Sequence, residues 1–162
     1  MIYPAIKIIQ KELSYNIPAV IRNITKVLDN NEQTDDIIIS LVNIEEDLTH
    51  RNNDDRSYSG TIHKNPTIHL NLTLLFSYVG DGYELGLQKI QQVIKFFHRK
   101  PFFNHSNTTD LDSPIEKIIF EMISLNLEQL HQLWSMLGGK YYPSVVYLIR
   151  LVVNDADNEG PS

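Results

Sequence analysis

The sequence predicts one α+β domain, in which a mostly antiparallel four-stranded sheet is flanked by helices that lie on one side of it. Apolar and polar residues alternate over 67–79, which is typical of a strand. Apolar residues recur at helical spacing over 83–99, and a helix, a glycine pair and a strand follow one another over 126–153. With 162 residues, the chain is long enough to bury a substantial core as a single domain.

The first half of the chain predicts two helices and one strand. Residues 5–14 and 17–29 place their apolar side chains at helical spacing, and residues 37–44 are rich in Ile and Leu, as in a buried strand. The polar stretch 45–66 predicts a long loop, which we interpret as an arm that protrudes between two strands. Loops of this length inside a domain are uncommon and usually functional.

The second half predicts the sequence strand, helix, strand, helix, strand. The long strand at 67–79 is followed by a Gly-Asp-Gly turn, a helix over 83–99 and a loop over 100–112. Residues 114–125 alternate in polarity, which favours a strand, although their Glu, Lys and Met content favours a helix. We interpret this segment as a strand, because a new helix begins directly after it.

Residues 126–153 carry the clearest local signals. Asn126 can cap a helix and Gln129 stands where it can complete a capping box, while Gly138 provides the left-handed residue that ends many helices. Trp134 lies on the leucine stripe of this helix, which favours a core position over an exposed interface anchor. The last strand runs to about residue 154. We expect residues 1–155 to form the domain and residues 156–162 to be a disordered tail.

Composition excludes several classes of partner. The net charge is −6 and no cluster of Lys and Arg is long enough to bind phosphates, so we expect no nucleic acid. The chain has no cysteine, which rules out disulfides and thiolate sites. No apolar run approaches the ~20 residues that span a bilayer, so we expect no direct membrane insertion.

No motif predicts catalysis. The six histidines match no metal-binding spacing, the acidic pairs lack the order of a calcium loop, and the segment GDGYELG lacks the Lys-Ser/Thr of a phosphate loop. We therefore expect a protein that is not an enzyme, with no catalytic residue, no metal and no cofactor. Arg150 is unusual, because it interrupts an apolar strand and must reach solvent, a carboxylate or another subunit.

Four segments in order resemble one family. These are NIEEDLTHRN (43–52), NPTIHLNLTLLFSY (65–78), YELGLQKIQQVIKFF (83–97) and LWSMLGGKYYPSVVYLIRLV (133–152). Together they are similar to the cap, or tail-terminator, proteins of extracellular contractile injection systems, the phage-tail-like particles of the virulence-cassette and antifeeding-prophage type. The resemblance extends over about residues 1–155. Its most specific elements are NP-x-x-x-LNL and LW-x-x-LGG-x-Y-x-PSVVY.

The resemblance implies a tail-terminator-like fold and a structural role. Such proteins form a ring, usually a hexamer, that ends the inner tube and anchors the last sheath ring at the end distal to the baseplate. The implied partners are further copies of the chain, the inner tube protein and the sheath protein, met during assembly in the cytoplasm and then in the released or cell-associated particle. The arm at 45–66 and the loop at 100–113 are the expected contact regions. The candidate contact residues are Arg51, Asn52, Arg56, Tyr58, His63, Asn104, His105 and Arg150.

Some members of this family have a C-terminal extension; we expect none here, and therefore none of the contacts that such an extension would make. Two alternatives remain open. The chain could be an adaptor beside the terminator in the same particle, or a small ligand- or peptide-binding module that uses the polar face of its sheet. The second alternative predicts a monomer whose melting temperature rises with a ligand.

Overall fold

The computed structural model describes residues 1–50 and 67–154. Within these ranges the chain forms four α-helices, six strands and a 3-10 turn at Leu48–His50. The helices are α1 (Ile2–Ser14), α2 (Ile24–Asp29), α3 (Tyr83–Arg99) and α4 (Leu127–Leu137). The strands are β1 (Ala19–Ile21), β2 (Ile37–Glu46), β3 (Thr67–Ser77), β4 (Phe102–Asn104), β5 (Ile115–Ile123) and β6 (Ser144–Asn154).

The six strands form one mixed sheet in the order β1-β2-β3-β6-β5-β4. The central strands β3 and β6 pair antiparallel along their whole length, from Thr67 opposite Asn154 to Ser77 opposite Ser144. The pairing of β1 with β2 is parallel, and the other pairings are antiparallel. The α+β class is therefore confirmed, whereas the prediction of four strands is wrong: the predicted strands are the inner four, and β1 and β4 extend the sheet at its edges.

The predicted helix at 17–29 is instead a short strand followed by a short helix. Ile17 precedes Pro18, and the residue before a proline is disfavoured in helical geometry. The carbonyl of Pro18 accepts a hydrogen bond from the Ile37 amide at 2.9 Å, which starts the pairing of β1 with β2. Asn23 then begins α2, because its side chain accepts a hydrogen bond from the Thr25 amide.

Strand pairing determines the structure of two other segments, at 100–112 and 114–125. The loop predicted at 100–112 contains β4, whose Phe103 lies opposite Ile118 of β5. The ambiguous segment at 114–125 is a strand, as predicted, because β5 pairs with β6 along most of its length. At the start of the predicted arm, Glu45 and Glu46 belong to β2. The predicted tail at 156–162 lies outside the described residues.

Helices cover both faces of the sheet, so the prediction of helices on one side is wrong. The larger core lies under α1 and α3, where the ring of Phe97 contacts those of Phe76, Tyr147 and Phe120 at centroid distances of 5.3, 4.9 and 4.5 Å. The smaller core lies on the opposite face under α2 and α4. Trp134 is 3% exposed there, which confirms its predicted core position.

Helix α1 connects the two edges of the sheet. Gln10 Nε2 donates a hydrogen bond to the carbonyl of Ala19 in β1 at 3.0 Å. One residue later, Lys11 Nζ contacts Asp110 Oδ2 at 2.8 Å, in the connection between β4 and β5. Because both edges approach the same helix, the sheet curls around the larger core and leaves its opposite face convex.

The glycines of GDGYELG have a packing role beyond the turn. The buried ring of Tyr78 lies against Gly80 and Gly86, and a Cβ atom at either position would overlap it. Gly82 precedes the first residue of α3. The glycines of this segment therefore leave room for the ring of Tyr78 between β3 and α3.

Candidate interaction surface

One row of residues crosses five strands on the convex face of the sheet. Glu45 in β2 pairs with Asn71 in β3, which pairs in turn with Arg150 in β6. Arg150 pairs with Ile119 in β5, and Ile119 pairs with Phe102 in β4. We call these five residues the convex row. Because side chains of directly paired residues lie on the same face, the row forms one continuous surface.

The convex row lies beyond the helices that cover the rest of this face. Helices α2 and α4 pack on Ile38, Leu75 and Val146, and none of the five row residues belongs to either core in the part of the chain that the structure describes. Phe102 is 45% exposed, and Arg150 is exposed. The row therefore presents both charged and apolar groups at the surface of the molecule.

Arg150 reaches both solvent and a carboxylate. Its Nη2 donates to Glu121 Oε2 at 3.0 Å, and the two side chains are 46% and 57% exposed. Exposed ion pairs of this kind contribute about 0–1 kcal/mol to stability. The fold therefore does not depend on this pair, and the Arg150 guanidinium stays accessible to solvent. A contact of Arg150 with another subunit stays a prediction.

Asn104 and His105 hold the turn that follows β4. The side-chain oxygen of Asn104 accepts hydrogen bonds from the amides of Ser106 and Asn107, both at 3.0 Å. His105 Nε2 lies 2.6 Å from the carbonyl oxygen of Ile115 at the start of β5. Both side chains thus have roles within the turn, and any contact with a partner would be made in addition to them.

Five of the predicted contact residues belong to the arm at 45–66. Arg51, Asn52, Arg56, Tyr58 and His63 lie outside the described residues.

Sequence reasoning missed four members of the convex row. The alternation in β3 does place Asn71 on its more polar face, but nothing in the sequence states which residues of other strands lie beside it. The sequence predicts Glu45 in the arm at 45–66 and Phe102 in the loop at 100–112. Only the strand register brings these residues next to Arg150.

In the described ranges, no group of three or more His, Asp and Glu side chains is arranged to hold a metal ion. The tyrosines with raised pKa values lie in the core: burial raises the pKa of Tyr147, and burial followed by a hydrogen bond to Asp35 raises that of Tyr78. Across residues 1–50 and 67–154, no helix has the length and apolar character needed to cross a membrane.

Two solved structures share this fold. One is described as the sheath/tube terminator, in the extended state, of the extracellular contractile injection system PVC. It matches 100% of this chain with a TM-score of 0.61 and 13% sequence identity. The other is the tube-terminating cap of the anti-feeding prophage, which matches 98% of this chain with a TM-score of 0.62 and 14% identity. The chain spans 59% of the length of each of these structures.

Comparison of the sequence with family models identifies the family of this chain. Among curated proteins, no sequence gives a significant match to this chain. The family model described as the Pvc16 N-terminal domain matches residues 5–162, which is nearly the whole chain. The chain therefore belongs to the family of Pvc16 N-terminal domains.

Proposed function

We propose that this chain is a terminator domain of a contractile injection particle. In this role it ends the inner tube and holds the last sheath ring at the end distal to the baseplate. The observation that carries the proposal is the fold, which almost the whole chain shares with a sheath/tube terminator and with a tube-terminating cap. Membership of the Pvc16 N-terminal domain family supports the same role.

The shape of the molecule supports a role in assembly. A terminator must contact several neighbours at once, and the convex row crosses five strands outside the part of this face that α2 and α4 cover, which offers an extended surface for such contacts. The convex row combines Glu45 and Arg150 with the apolar side chains of Ile119 and Phe102, as in the mixed surfaces of protein interfaces. We infer that this row contacts a tube or sheath subunit, together with the candidate residues of the arm at 45–66.

The proposed assembly is a closed ring of identical subunits, a hexamer, on the end of the tube. Head-to-tail contacts that close by rotation use two different surfaces of each copy. We infer that the protein acts through these contacts and not as an enzyme, and that it is made in the cytoplasm before it becomes part of the particle. Residues 1–155 are the proposed structural unit, with 156–162 as a tail.

Imaging of the particle end tests the proposal. Particles assembled with the full chain should show an ordered ring at the end distal to the baseplate, whereas particles assembled without it should have tubes of irregular length. Mass photometry should detect oligomers, and tube and sheath subunits should purify with the chain. A monomer that never joins particles, with tube ends unchanged in its absence, would contradict the proposed function.

A further inference from the structure

The outer edge of β2 changes character at Ser40. The short strand β1 pairs with β2 only over Ile37–Ile39, and the hydroxyl of Ser40 donates to the carbonyl of Arg22 at 2.6 Å where this pairing ends. Strand β2 continues to Glu46. Among the described residues, no strand pairs with its outer side from Leu41 onward. We call Leu41–Glu46 the open edge.

Backbone groups of the open edge point away from the sheet. The amide of Asp47 donates to the carbonyl of His69 in β3 at 2.9 Å, and Glu45 lies opposite Asn71 in the same register. Since backbone direction alternates along a strand, the amides of Ile44 and Glu46 face outward. The side chain of Ile44 is 50% exposed and Glu46 is exposed, so this edge is accessible.

The opposite edge of the sheet is closed by the chain itself. Asn107 Nδ2 donates to the carbonyl of Phe102 at 2.9 Å, and Asn107 Oδ1 accepts from the amide of Asn104 at 2.8 Å. The amide of Thr108 donates to the carbonyl of Asn104 at 2.9 Å. Three outward backbone groups of β4, the Phe102 carbonyl and the Asn104 amide and carbonyl, are thus already bonded, which is one way that proteins prevent pairing at a sheet edge. The open edge of β2 has no such closure within the described residues.

We propose that the open edge is a binding site for an extended, basic segment of a partner protein, which adds to the sheet as a further strand. An exposed edge of unpaired amides and carbonyls recognises an extended backbone, and side chains on alternate positions then give specificity. Leu41 and Ile44 lie on the same face, opposite Leu74 and Leu72, and are 36% and 50% exposed. They offer apolar contacts to every second residue of the segment.

Charge decides between the possible occupants. Glu45 and Glu46 are both exposed on the open edge, one on each face of the sheet. Pairing of two copies through this edge would place acidic side chains near one another, which is destabilising. Lys or Arg side chains in the added strand would instead pair with these carboxylates. A basic segment of a different protein therefore fits better than the same edge of a second copy.

The inference deepens the proposed function and rests on it in one respect, since the partner is taken to be a subunit of the same particle. It does not require a ring. A terminator that receives a strand from its neighbour would be held through backbone hydrogen bonds as well as side-chain contacts. Such a joint resists separation along the sheet edge, because several hydrogen bonds must break together.

Hydrogen exchange of the full chain, with and without purified tube or sheath subunits, tests the site directly. We expect the amides of Ile44 and Glu46 to exchange at least about tenfold more slowly when the correct subunit is bound. The amides of Asn43 and Glu45 face β3 and should change little, which provides an internal control. The subunit that protects the open edge identifies the partner.

Two variants separate backbone pairing from side-chain contact. Ile44→Pro removes an outward amide at an edge position, where proline is tolerated, and should weaken binding of the subunit about tenfold relative to Ile44→Ala. If Ile44→Pro fails to fold, Glu46→Lys replaces it. That variant keeps the backbone and should weaken binding at low salt more than Glu116→Lys, a matched reversal at an exposed site in β5.

The outcomes distinguish this inference from the proposed function. If a subunit binds but the Ile44 and Glu46 amides are not protected, the strand addition is wrong and the terminator role stands. If the chain protects these amides by itself as its concentration rises, a second copy is the occupant and the basic-segment proposal is overturned. If neither subunit binds and tube ends do not depend on the chain, both proposals fail.

Discussion

The hydroxyl of Tyr78 donates a hydrogen bond to Asp35 Oδ1 across 2.8 Å, and this bond ties the end of β3 to the loop before β2. Tyr78 is 1% exposed, and its ring rests on the two glycines of GDGYELG. Lys89 of α3 donates to the carbonyl of Asp35 and so connects the same loop to the helix. A single tyrosine thus joins three segments at one end of the sheet.

The Tyr78 hydrogen bond predicts a pH dependence of stability. Burial and the bond to Asp35 raise the pKa of Tyr78, so the folded state favours the neutral phenol. This contribution is fully present below the ordinary tyrosine pKa near 10 and is lost as pH rises through the higher folded value. In urea unfolding, Tyr78→Phe should lower the free energy of unfolding by about 1 kcal/mol at pH 7, and less above pH 10.

The matched control for this prediction is Tyr83→Phe, because Tyr83 is 63% exposed. It should leave both the stability and its pH dependence unchanged. A constant difference between wild type and Tyr78→Phe from pH 7 to pH 11 would contradict the assignment of this titration to Tyr78.

Gly86→Ala should destabilise the protein although alanine favours helices. A Cβ at Gly86 overlaps the ring of Tyr78, and overpacking of this kind typically costs about 1–3 kcal/mol. The gain from replacing glycine by alanine in a helix is only about 1 kcal/mol. Thermal unfolding should therefore show a lower Tm. Gln88→Ala, at an exposed position of the same helix, is the control, and a higher Tm for Gly86→Ala would refute the packing role.

Two substitutions of Trp134 should lower the free energy of unfolding by different amounts. Trp134→Ala removes most of a buried side chain from the smaller core and should cost about 3–5 kcal/mol. Trp134→Phe should cost clearly less, since it keeps an aromatic ring and also removes a buried N–H that has no acceptor among the described residues. Urea denaturation measures both. Met136→Ala, on the same helix at a 66% exposed position, should change little; equal losses for the two Trp134 variants would contradict this account.

Arg150→Ala should separate stability from assembly. Because its ion pair with Glu121 is exposed, the free energy of unfolding should fall by less than about 1 kcal/mol. If the convex row contacts a tube or sheath subunit, the same variant should reduce co-purification of that subunit severalfold. Lys95→Ala removes an exposed charge from α3 and is the control. Unchanged co-purification would remove Arg150 from the contact surface.

The sequence predicted helix starts and ends correctly where residues within the same segment decide them. The capping box predicted at Asn126 is present, with hydrogen bonds of 2.8 and 3.1 Å between Asn126 and Gln129. Gly138 ends that helix in a positive-φ conformation, as predicted. Trp134 is buried as predicted, whereas Leu127, an apolar residue at the start of the same helix, is 84% exposed because it lies beyond the smaller core.

The sequence by itself determined the four inner strands and the helices α1, α3 and α4, because periodicity, caps and glycines act over a few residues. It also carried the resemblance to tail terminators, through four segments in order along the chain. Tertiary structure decided the rest. The segment 19–21 is a strand only because β2 offers it a partner, and β4 is a strand only because β5 does. The convex row and the open edge exist only through register, which pairs residues far apart in the chain and leaves no local pattern to read.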